Sequence, residues 1–373
     1  MPKTIGIVGG GQLGRMLTEA AASLGFKVIV IDPTPDCPAH QAGAEQIVAP
    51  YRDREAAIEL AQKADYITIE FEHINAEALA TIADSKPVNP SPDTIKMIQN
   101  KYEQKLFLQR NDLNTAEFLE IDSNSTAETA FDDWGGLILK STTDSFDGRG
   151  NTLITSKSEL ADAAERFAGR EIYAEKIINF KKELAVMIAK DIKGNTIAYP
   201  VVETVHARNI CTEVYAAAEI DEVVKKKAEN LAKQAVSKLN GAGIYGVEMF
   251  LGEDNTILVN EIAPRVHNSG HYTMDMCEPS QFEQHILAIT GRELKEPVLK
   301  SPACCMINIL GERNGPVELN GVADAENIPG VSVYIYGKKP TKIDRKMGHI
   351  NATAGTMEEA VANARKARKL IGV

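Results

Sequence analysis

The segment GVEMFLGEDNTILVNEIAP, residues 246–264, contains two apolar runs joined by a short polar turn. Two such runs around a turn rich in Gly, Asp and Asn predict a β-hairpin. If the turn is centred on its Asp-Asn pair, Glu248 and Glu261 face each other across the strands. A slip of one residue would bring Asn260 to that position instead, because side chains alternate between the two faces of a strand.

The two glutamates predict a metal site. Carboxylates that face each other repel unless a cation lies between them. Two carboxylates together with phosphate oxygens are typical ligands of Mg²⁺ in nucleotide sites. We therefore expect Glu248 and Glu261 to bind a divalent cation. The alternative is a pair of solvated glutamates on an exposed strand face.

Polar residues also interrupt the apolar strands that precede the hairpin. Lys140 ends the run LILK, and a lysine on a buried strand requires an anion. The strand REIYAE ends at Glu175, and the segment 175–178 is expected to be an edge that offers backbone groups to an adenine. Glu183, eight residues further on, could accept ribose hydroxyls. Each residue alone could be a surface charge, but their order together favours a nucleotide site.

The amino terminus carries a glycine-rich turn, GIVGGGQLGRM, residues 6–16. Gly9, Gly11 and Gly14 fit the pattern G-x-G-x-x-G, and Asp32 ends the next apolar run, VIVID. This is the spacing of a dinucleotide fingerprint, in which helix N–H groups favour an anion. The motif alone leaves open whether the ligand is NAD, another phosphate or carboxylate, or nothing.

Composition limits the class of protein. With 373 residues, of which 44% are hydrophobic, the chain can form two or three domains with real cores. A net charge of −11 and a pI of about 5.3 argue against a nucleic-acid surface. No apolar run approaches the roughly 20 residues that span a bilayer, and no signal-peptide pattern begins the chain. Five cysteines without C-x-x-C spacing predict reduced thiols rather than zinc ligands, and we expect a cytoplasmic protein.

The order of strand-like and helix-like segments predicts three domains of α/β and α+β class. Residues 1–100 alternate strand and helix and predict a Rossmann-like domain with a parallel sheet. Strands dominate residues 101–295, and residues 296–373 form a small α/β domain that ends in a helix.

The polar residues of the middle domain resemble those of the ATP-grasp superfamily in order and spacing. More narrowly, GGGQLGRM, EFEH, FDGRGN, NEIAPRVHNSGH and RKMGHI resemble the N5-carboxyaminoimidazole ribonucleotide synthetase family of purine biosynthesis. The resemblance covers nearly the whole chain. It implies an ATP-grasp fold between a Rossmann-like amino-terminal domain and a small carboxyl-terminal domain.

The resemblance also implies a reaction and its participants. ATP phosphorylates bicarbonate to carboxyphosphate, which carboxylates the amine of 5-aminoimidazole ribonucleotide and leaves ADP and phosphate. The implied cofactors are ATP and Mg²⁺, with Mn²⁺ as a substitute. The implied partners are these small molecules and a second copy of the chain in a homodimer, with no nucleic acid and no membrane.

Matching to the family implies a role for individual residues of the nucleotide site. Lys101 and Lys140 would touch the phosphates or the base, Glu183 the ribose, and His206 another part of the nucleotide. Glu248 and Glu261 would hold the metal, and Asn260 would support them. The remaining residues implied to bind ATP are Ser145, Phe146, Asp147, Gly148, Arg149, Gly150 and Asn151 over the phosphates, and Glu175, Lys176, Ile177 and Ile178 at the adenine.

The same matching implies that the glycine turn faces the ribonucleotide rather than NAD. Lys338 and Arg345 match the family's contacts to the 5′-phosphate, although a solvated basic turn is the alternative. The other residues implied to bind substrate are Gly11, Gln12, Leu13, Glu70, His267 and Asn268. The implied catalytic residues are Arg265, Arg149 and Glu70, since an arginine beside carboxyphosphate would neutralise its oxyanion.

Two segments depart from the family pattern. The loop over the phosphates usually reads Gly-Gly-Tyr-Asp-Gly but here is DSFDG, residues 144–148, so a tyrosine hydroxyl is absent. After His206, Asn209-Ile210-Cys211 replaces Gly-Ile-Leu.

Three other functions compete with this interpretation. An NAD-dependent oxidoreductase would explain the glycine turn and Asp32 but not the glutamate hairpin. Another ATP-grasp ligase, such as formate-dependent glycinamide ribonucleotide transformylase or biotin carboxylase, would not explain RVHNSGH and RKMGH. A non-catalytic nucleotide sensor would not need the carboxylate pair and Lys140.

Overall fold

The computed structural model describes residues 2–143 and 150–373, and its amino-terminal part is a parallel sheet flanked by helices. The strand order is β3-β2-β1-β4, as expected of a Rossmann-like unit built from short β-branched runs. The predicted parallel-sheet domain is therefore confirmed. Its elements are β1 (Thr4–Val8), α1 (Gln12–Ser23), β2 (Lys27–Ile31), α2 (Pro38–Gln41), β3 (Glu45–Ile47), α3 (Arg54–Lys63), β4 (Tyr66–Ile69) and α4 (Ala76–Ala83).

Two helices then lead into a small antiparallel sheet of order β5-β8-β6-β7. The second helix begins where the side chain of Asn100 accepts the backbone N–H groups of residues 102 and 103, so it starts at a fixed point. The elements are α5 (Pro92–Gln99), α6 (Lys101–Arg110), β5 (Phe118–Ile121), α7 (Asn124–Trp134), β6 (Leu137–Ser141), β7 (Asn151–Ile154), α8 (Lys157–Arg166) and β8 (Ile172–Lys176).

A large antiparallel sheet follows, and one long helix packs against it. The apolar face of this helix, at every third or fourth residue, covers the strands that carry the predicted metal site. The elements are β9 (Phe180–Lys190), β10 (Thr196–Ala198), β11 (Val202–Ala207), β12 (Ile210–Ala216), α9 (Glu222–Ser237), β13 (Gly243–Gly252), β14 (Ile257–Ala263), a 3₁₀ turn (Asn268–Gly270), α10 (Thr273–Met276), β15 (Cys277–Glu278), α11 (Gln281–Ile289) and β16 (Val298–Leu299).

The carboxyl-terminal strands continue the same large sheet. Its order is β14-β13-β9-β11-β12-β17-β19-β18, with β10 paired to β9, so residues after 300 share a hydrogen-bonded sheet with the middle of the chain. The proposed boundary at residue 296 is thus crossed by strand pairing, and the three-domain division stays a prediction. The elements are β17 (Ala303–Leu310), α12 (Val322–Glu326), β18 (Val331–Ile335), β19 (Lys346–Ala354) and α13 (Met357–Leu370).

A buried histidine joins the amino-terminal sheet to the large sheet. His285 of α11 accepts a hydrogen bond at Nδ1 from the N–H of Ile244 on β13, 3.0 Å away. Its Nε2 therefore carries the proton and donates to the hydroxyl of Thr68 on β4, 2.8 Å away. The contact helps to fix the ends of two sheets relative to each other.

Two further predictions concern the chain as a whole. All five cysteines are buried free thiols, as expected. No helix within residues 2–143 and 150–373 is long and apolar enough to cross a membrane.

Candidate active site

The glycine turn is occupied by a side chain of the protein itself. Glu70, just after β4, accepts a hydrogen bond at Oε2 from the N–H of Gly14, 2.7 Å away in the first turn of α1. A Cβ on Gly11 would lie 2.2 Å from one oxygen of Glu70, and a Cβ on Gly14 would lie 2.5 Å from the other. Both glycines are therefore needed for the close approach of this carboxylate, which takes the position that a dinucleotide phosphate would use.

The acidic residue of the fingerprint is also engaged within the chain. The buried carboxylate of Asp32 accepts the N–H of Gly10 at 3.1 Å and the hydroxyl of Tyr51 at 2.9 Å, both at Oδ2. The other oxygen of Asp32 accepts the N–H of Thr34. An NAD ribose would have to displace Tyr51, so the geometry argues against the dinucleotide alternative.

A cavity of about 190 Å³ opens beside this turn, and we call it the glycine-turn pocket. It brings together five of the residues predicted to bind substrate: Gly11, Gln12, Glu70, Lys338 and Arg345. Its other lining residues include Asp32, Asp36, Tyr51 and Lys339, which sequence analysis did not assign to the site.

Leu13, in contrast, lies in the hydrophobic core against the large sheet, so its side chain does not line this cavity. Any part that Leu13 has in substrate binding is limited to its backbone.

Burial sets the protonation of Glu70. Its pKa is raised to about 7, chiefly by loss of water, while the N–H of Gly14 and the charge of Lys338 act in the opposite direction. A carboxyl group with this pKa can exchange a proton near neutral pH.

The predicted hairpin consists of β13 and β14, and Glu248 faces Glu261 across it. Next to the turn the strands pair in the register that would place Asn260 opposite Glu248. A β-bulge between Glu248 and Met249 leaves Asn260 as the extra residue and restores the glutamate pair. The predicted pairing is thus confirmed, with a bulge that the sequence did not indicate.

The glutamate pair has the electrostatics of a cation site. The pKa of Glu248 is raised to about 7 by burial and then by the negative charge of Glu261. Lys101 donates to Oε2 of Glu261 at 2.7 Å. No group of three or more His, Cys, Asp or Glu side chains that could hold a metal occurs within residues 2–143 and 150–373, so a metal here would need ligands from a bound molecule.

Lys140 has the buried anion that its position on β6 required. Its Nζ donates to Oε1 of Glu175 at 2.8 Å, and Nζ of Lys105 lies 2.8 Å from Oε2 of the same carboxylate. Burial alone would raise the pKa of Glu175, but the pKa is lowered to about 2 because both ammonium groups stabilise the charged form. We call Lys101, Lys105, Lys140, Glu175, Glu248 and Glu261 together the lysine–glutamate cluster.

The prediction that residues 175–178 form a sheet edge is wrong for the first two of them. Strand β8 pairs with β5 on one side and with β6 on the other, so Glu175 and Lys176 lie inside the small sheet. Ile177 and Ile178 lie beyond the end of the strand, where backbone groups can still meet a ligand. Lys176 instead forms a partly exposed ion pair with Glu117.

The two residues predicted to contact the ribose and another part of the nucleotide, Glu183 and His206, lie next to each other. Nδ1 of His206 on β11 lies 3.1 Å from Oε2 of Glu183 on β9. Burial opposes protonation of His206, but the carboxylate of Glu183 outweighs it and raises the pKa of the imidazole. Glu248 adds to this shift, which links the pair electrostatically to the predicted metal site.

Arg265 already has a carboxylate partner. Its Nε and Nη2 contact the two oxygens of Glu72 at 2.7 and 3.1 Å, a bidentate ion pair between nearly buried side chains. Although burial would raise the pKa of Glu72, the arginine lowers it to about 2. Arg265 therefore reaches the site with part of its charge compensated, and Glu72 is a site residue that sequence analysis missed.

His267 and Asn268 begin the short turn after β14. Nδ1 of His267 lies 2.8 Å from the hydroxyl of Ser269, and its Nε2 lies 3.8 Å from Oε1 of Glu248. Burial and the charge of Arg265 lower the pKa of His267 to about 3, so this imidazole is neutral. Asn268 is buried beside the thiol of Cys211.

Part of the predicted phosphate loop lies outside the described residues. Those residues are Ser145, Phe146, Asp147, Gly148 and Arg149. Gly150 has a φ of 90°, and Asn151 pairs with Lys140 across β6 and β7. Asn151 therefore lies beside Lys140 in the small sheet.

Three domain models match successive parts of the chain. They are the ribonucleotide synthetase preATP-grasp domain at residues 1–99, the ATP-grasp domain at 106–282, and the phosphoribosylaminoimidazole carboxylase C-terminal domain at 304–363. Together with the fold, these matches define an ATP-grasp enzyme, a class of ATP-dependent ligases.

Individual relatives narrow the class. The chain is 37% identical over 347 residues to N5-carboxyaminoimidazole ribonucleotide synthase of Bacillus subtilis, with 93% of this chain and 90% of that protein covered. It superimposes with a TM-score of 0.91, at 38% identity, on N5-carboxyaminoimidazole synthase of Aspergillus clavatus in complex with ADP and 5-aminoimidazole ribonucleotide, covering 99% and 98% of the two chains. The chain belongs to the N5-carboxyaminoimidazole ribonucleotide synthase family, and the predicted family and fold are confirmed.

A fungal relative is longer than this chain. Phosphoribosylaminoimidazole carboxylase of Candida albicans is 43% identical over 371 residues, which cover 96% of this chain but 65% of that protein. The chain therefore spans just under two thirds of the length of that relative.

Proposed function

We propose that the protein carboxylates 5-aminoimidazole ribonucleotide with bicarbonate at the expense of ATP, as a step of purine biosynthesis. An oxygen of bicarbonate attacks the γ-phosphorus of ATP, and ADP leaves. The ribonucleotide amine then attacks the carbonyl carbon of carboxyphosphate, phosphate leaves, and the nitrogen loses one proton. The products are N5-carboxyaminoimidazole ribonucleotide, ADP and phosphate.

The observation that carries this proposal is the placement of two sites at one junction. The glycine-turn pocket offers cations for a phosphate together with a buried carboxyl group. The lysine–glutamate cluster offers lysines and a facing carboxylate pair, as a nucleotide and its metal require. Arg265 extends from the end of β14, beside the glutamate pair, to Glu72, two residues after Glu70. Bicarbonate is thus expected near Arg265, His267 and Asn268.

The residues present fit a divalent cation. Glu248 and Glu261 face the same side of a hairpin, and the pKa of Glu248 is raised by burial and then by the charge of Glu261, both of which a cation between the two would offset. We infer that these two carboxylates hold Mg²⁺, or Mn²⁺ in its place, together with oxygens of ATP. A bound Mg²⁺ would neutralise charge on the transferred phosphoryl group.

The protein side chains supply position and charge. Lys101 and Lys140 are expected to meet phosphates or base, Ile177 and Ile178 the adenine through their backbone, and Glu183 with His206 the ribose. Lys338 and Arg345 are expected to hold the 5′-phosphate of the ribonucleotide in the glycine-turn pocket. Glu70, which titrates near neutral pH, can accept a hydrogen bond or a proton from that substrate.

An assay of ADP release with each component omitted in turn tests the proposed function. Release should require Mg²⁺ and 5-aminoimidazole ribonucleotide, and the carboxylated product should require bicarbonate. Turnover supported by formate without bicarbonate would favour another ATP-grasp ligase. A rise in melting temperature with NADH but not with ATP and Mg²⁺ would favour the oxidoreductase alternative.

We also propose that the protein is a cytoplasmic homodimer. The support is the family likeness, together with five reduced thiols that suit a reducing compartment. Sedimentation equilibrium should give twice the chain mass of 40.6 kDa, and a monomer at micromolar concentration would contradict the proposed assembly.

A further inference from the structure

One face of α6 contacts both sheets of the ATP-grasp part. Gln104 is buried and exchanges two hydrogen bonds with the backbone of Ile262 on β14, at 2.8 and 3.1 Å. Lys101 and Lys105, one helical turn apart, lie on the same side of the helix. Lys101 pairs with Glu261 of the large sheet, and Lys105 pairs with Glu175 of the small sheet.

Lys105 has a second contact that leads back to the large sheet. Its Nζ donates to the hydroxyl of Thr115 at 2.9 Å, and that hydroxyl donates to the carbonyl of Val259 on β14 at 2.8 Å. The side chain of Lys105 is only 4% exposed. A ligand therefore has little access to it, so Lys105 can affect ATP only through its neighbours, and Glu175 is its charged partner.

The charges around Glu175 do not cancel. One carboxylate lies between two ammonium groups, each 2.8 Å away, and the three side chains are 2%, 4% and 11% exposed. Burial lowers the pKa of Lys105, but the charge of Glu175 opposes this; with both lysines protonated the three groups carry one net positive charge, and Lys140 is the most exposed of them. Without Lys105, the negative charge of Glu175 would be balanced only by Lys140, and the remaining pair would be neutral.

We propose that Lys105 is a positioning residue that compensates Glu175 and thereby leaves the charge of Lys140 available to a phosphate of ATP. The proposal rests on the proposed function, because it takes ATP as the ligand. Two lysines stabilise the buried carboxylate of Glu175. Because Lys105 balances its charge, Lys140 can also contact a phosphate when the nucleotide binds.

A purely structural role for Lys105 predicts different behaviour. In that case Lys105 only links the two sheets, and its loss would disturb every substrate and would not be repaired by removing Glu175's charge. In our proposal the defect is electrostatic. Replacing Glu175 with a neutral amide in the same chain should therefore leave the charge of Lys140 uncompensated again.

The test compares Lys105→Met with the double variant Lys105→Met/Glu175→Gln. Binding of Mg·ADP is measured by calorimetry, and KM is measured for ATP and for 5-aminoimidazole ribonucleotide. A charge-assisted contact to phosphate is typically worth a factor of about 10 to 100. Lys105→Met should therefore raise the Kd for Mg·ADP and the KM for ATP by about tenfold or more, with KM for the ribonucleotide within about twofold.

The double variant decides between the two roles. It should return to within about threefold of the wild-type Kd and KM, since Lys140 is again uncompensated. A double variant no better than Lys105→Met, or an equal rise in KM for the ribonucleotide, would overturn the proposal. If Lys105→Met does not fold, the double variant alone must bind Mg·ADP with a Kd within about threefold of the wild-type value. Weaker binding would contradict the proposal.

A matched control and the wild type separate the remaining outcomes. Lys157→Met removes a lysine from a half-exposed ion pair with Asp132 beside the same small sheet and should change neither constant. If the wild type itself binds no Mg·ADP, the proposed function fails. If the wild type binds it and Lys105→Met binds it equally well, only the role of Lys105 fails.

Discussion

The lysine–glutamate cluster and the glycine-turn pocket use charge in different ways. In the cluster, the lysines of α6 pair with carboxylates of both sheets, Lys101 with Glu261 of β14 and Lys105 with Glu175 of β8. In the pocket, Glu70 is held by a backbone N–H, and the basic residues come from one loop, where Lys339 meets Asp36 in an exposed contact of 3.5 Å. A substitution in the cluster therefore changes a buried or partly buried ion pair, whereas one in the pocket removes a single contact, and we expect larger effects in the cluster.

The largest effect is expected at the predicted metal site. Glu261→Gln should lower kcat by about a thousandfold, because a lost carboxylate leaves developing phosphate charge without its metal. The same change also leaves Lys101 without its carboxylate partner. Rates are measured over a range of Mg²⁺ concentrations. Glu253→Gln in the exposed turn of the same hairpin is the control and should be unchanged, and a Glu261→Gln enzyme with the wild-type rate at low Mg²⁺ would remove the metal role.

The next effect concerns Arg265, which lies between the two regions. Glu72→Gln replaces a bidentate ionic partner with a neutral amide, so the guanidinium loses its fixed orientation. A reacting group displaced by about 1 Å can lose about a hundredfold in rate, and we expect kcat to fall by about that factor. Steady-state kinetics with bicarbonate varied provide the measurement. Glu77→Gln, an exposed carboxylate on the following helix, should behave as wild type; equal kinetics for both variants would show that Arg265 needs no partner.

The two regions also differ in how much of them the sequence predicts. The two apolar runs and the polar turn predicted the hairpin and the Glu248–Glu261 pair, but the register next to the turn is the one that would place Asn260 opposite Glu248, and a bulge restores the pair. The bulge at Asn260 could not be predicted, since nothing in the hairpin sequence marks the extra residue. The glycine turn predicted an anion site, but the anion is Glu70, 56 residues away in the chain.

The missed residues share a physical cause. Lys105 belongs to KYEQKLFLQR, a helix whose charges look like an ordinary solvated face, and its partner Glu175 is 70 positions away. Tyr51 and Glu72 likewise acquire their roles only through contacts made by the folded chain. A weak signal existed for Lys105, because Lys101 is one turn before it on the same helix face. Long-range pairing of charges is not encoded in local periodicity.

A pocket-specific effect is expected at the basic loop. Arg345→Ala should raise KM for 5-aminoimidazole ribonucleotide by about ten- to a hundredfold, since a charge-assisted phosphate contact is lost, and leave KM for ATP nearly unchanged. Steady-state assays with each substrate varied measure this. Lys342→Ala, an exposed lysine of the same loop outside the pocket lining, should change neither constant. An equal rise in KM for ATP would mean that this loop serves the other phosphate.

The junction between the two regions should respond to pH through His285. Its pKa is lowered to about 3 by burial, far below the value of about 6.5 in an unfolded chain. The unfolded state therefore takes up a proton as pH falls below 6.5 while the folded state does not, so stability decreases. Between pH 7.5 and pH 5 this group should remove about 2 kcal/mol from the free energy of unfolding.

The variant His285→Gln isolates this contribution. Urea denaturation of wild type and variant is compared across the same pH range. Glu70 and Glu248 have raised pKa values and therefore stabilise the folded state as pH falls, but they do so in both proteins, so their contribution cancels in the difference. The stability advantage of the wild type should shrink by about 2 kcal/mol toward pH 5. A constant difference across the range would show that His285 is not buried as a neutral group.

The smallest effect is expected where the pocket meets the fingerprint acid. Tyr51→Phe removes one hydroxyl from Asp32, but Oδ2 of that carboxylate keeps the N–H of Gly10 and Oδ1 keeps that of Thr34. A single hydrogen bond contributes about 0.5–1.5 kcal/mol, so KM for the ribonucleotide should change by no more than about tenfold. Tyr66→Phe, which removes a partly exposed hydroxyl that contacts Lys3, controls for loss of a phenol hydroxyl.

Binding of NADH to Tyr51→Phe is measured in parallel, since Asp32 is then open to a ribose hydroxyl. We expect none, because Glu70 still occupies the start of α1, and a carboxylate there would repel a pyrophosphate. NADH binding by Tyr51→Phe would mean that Tyr51 alone, and not Glu70, separates this pocket from a dinucleotide site.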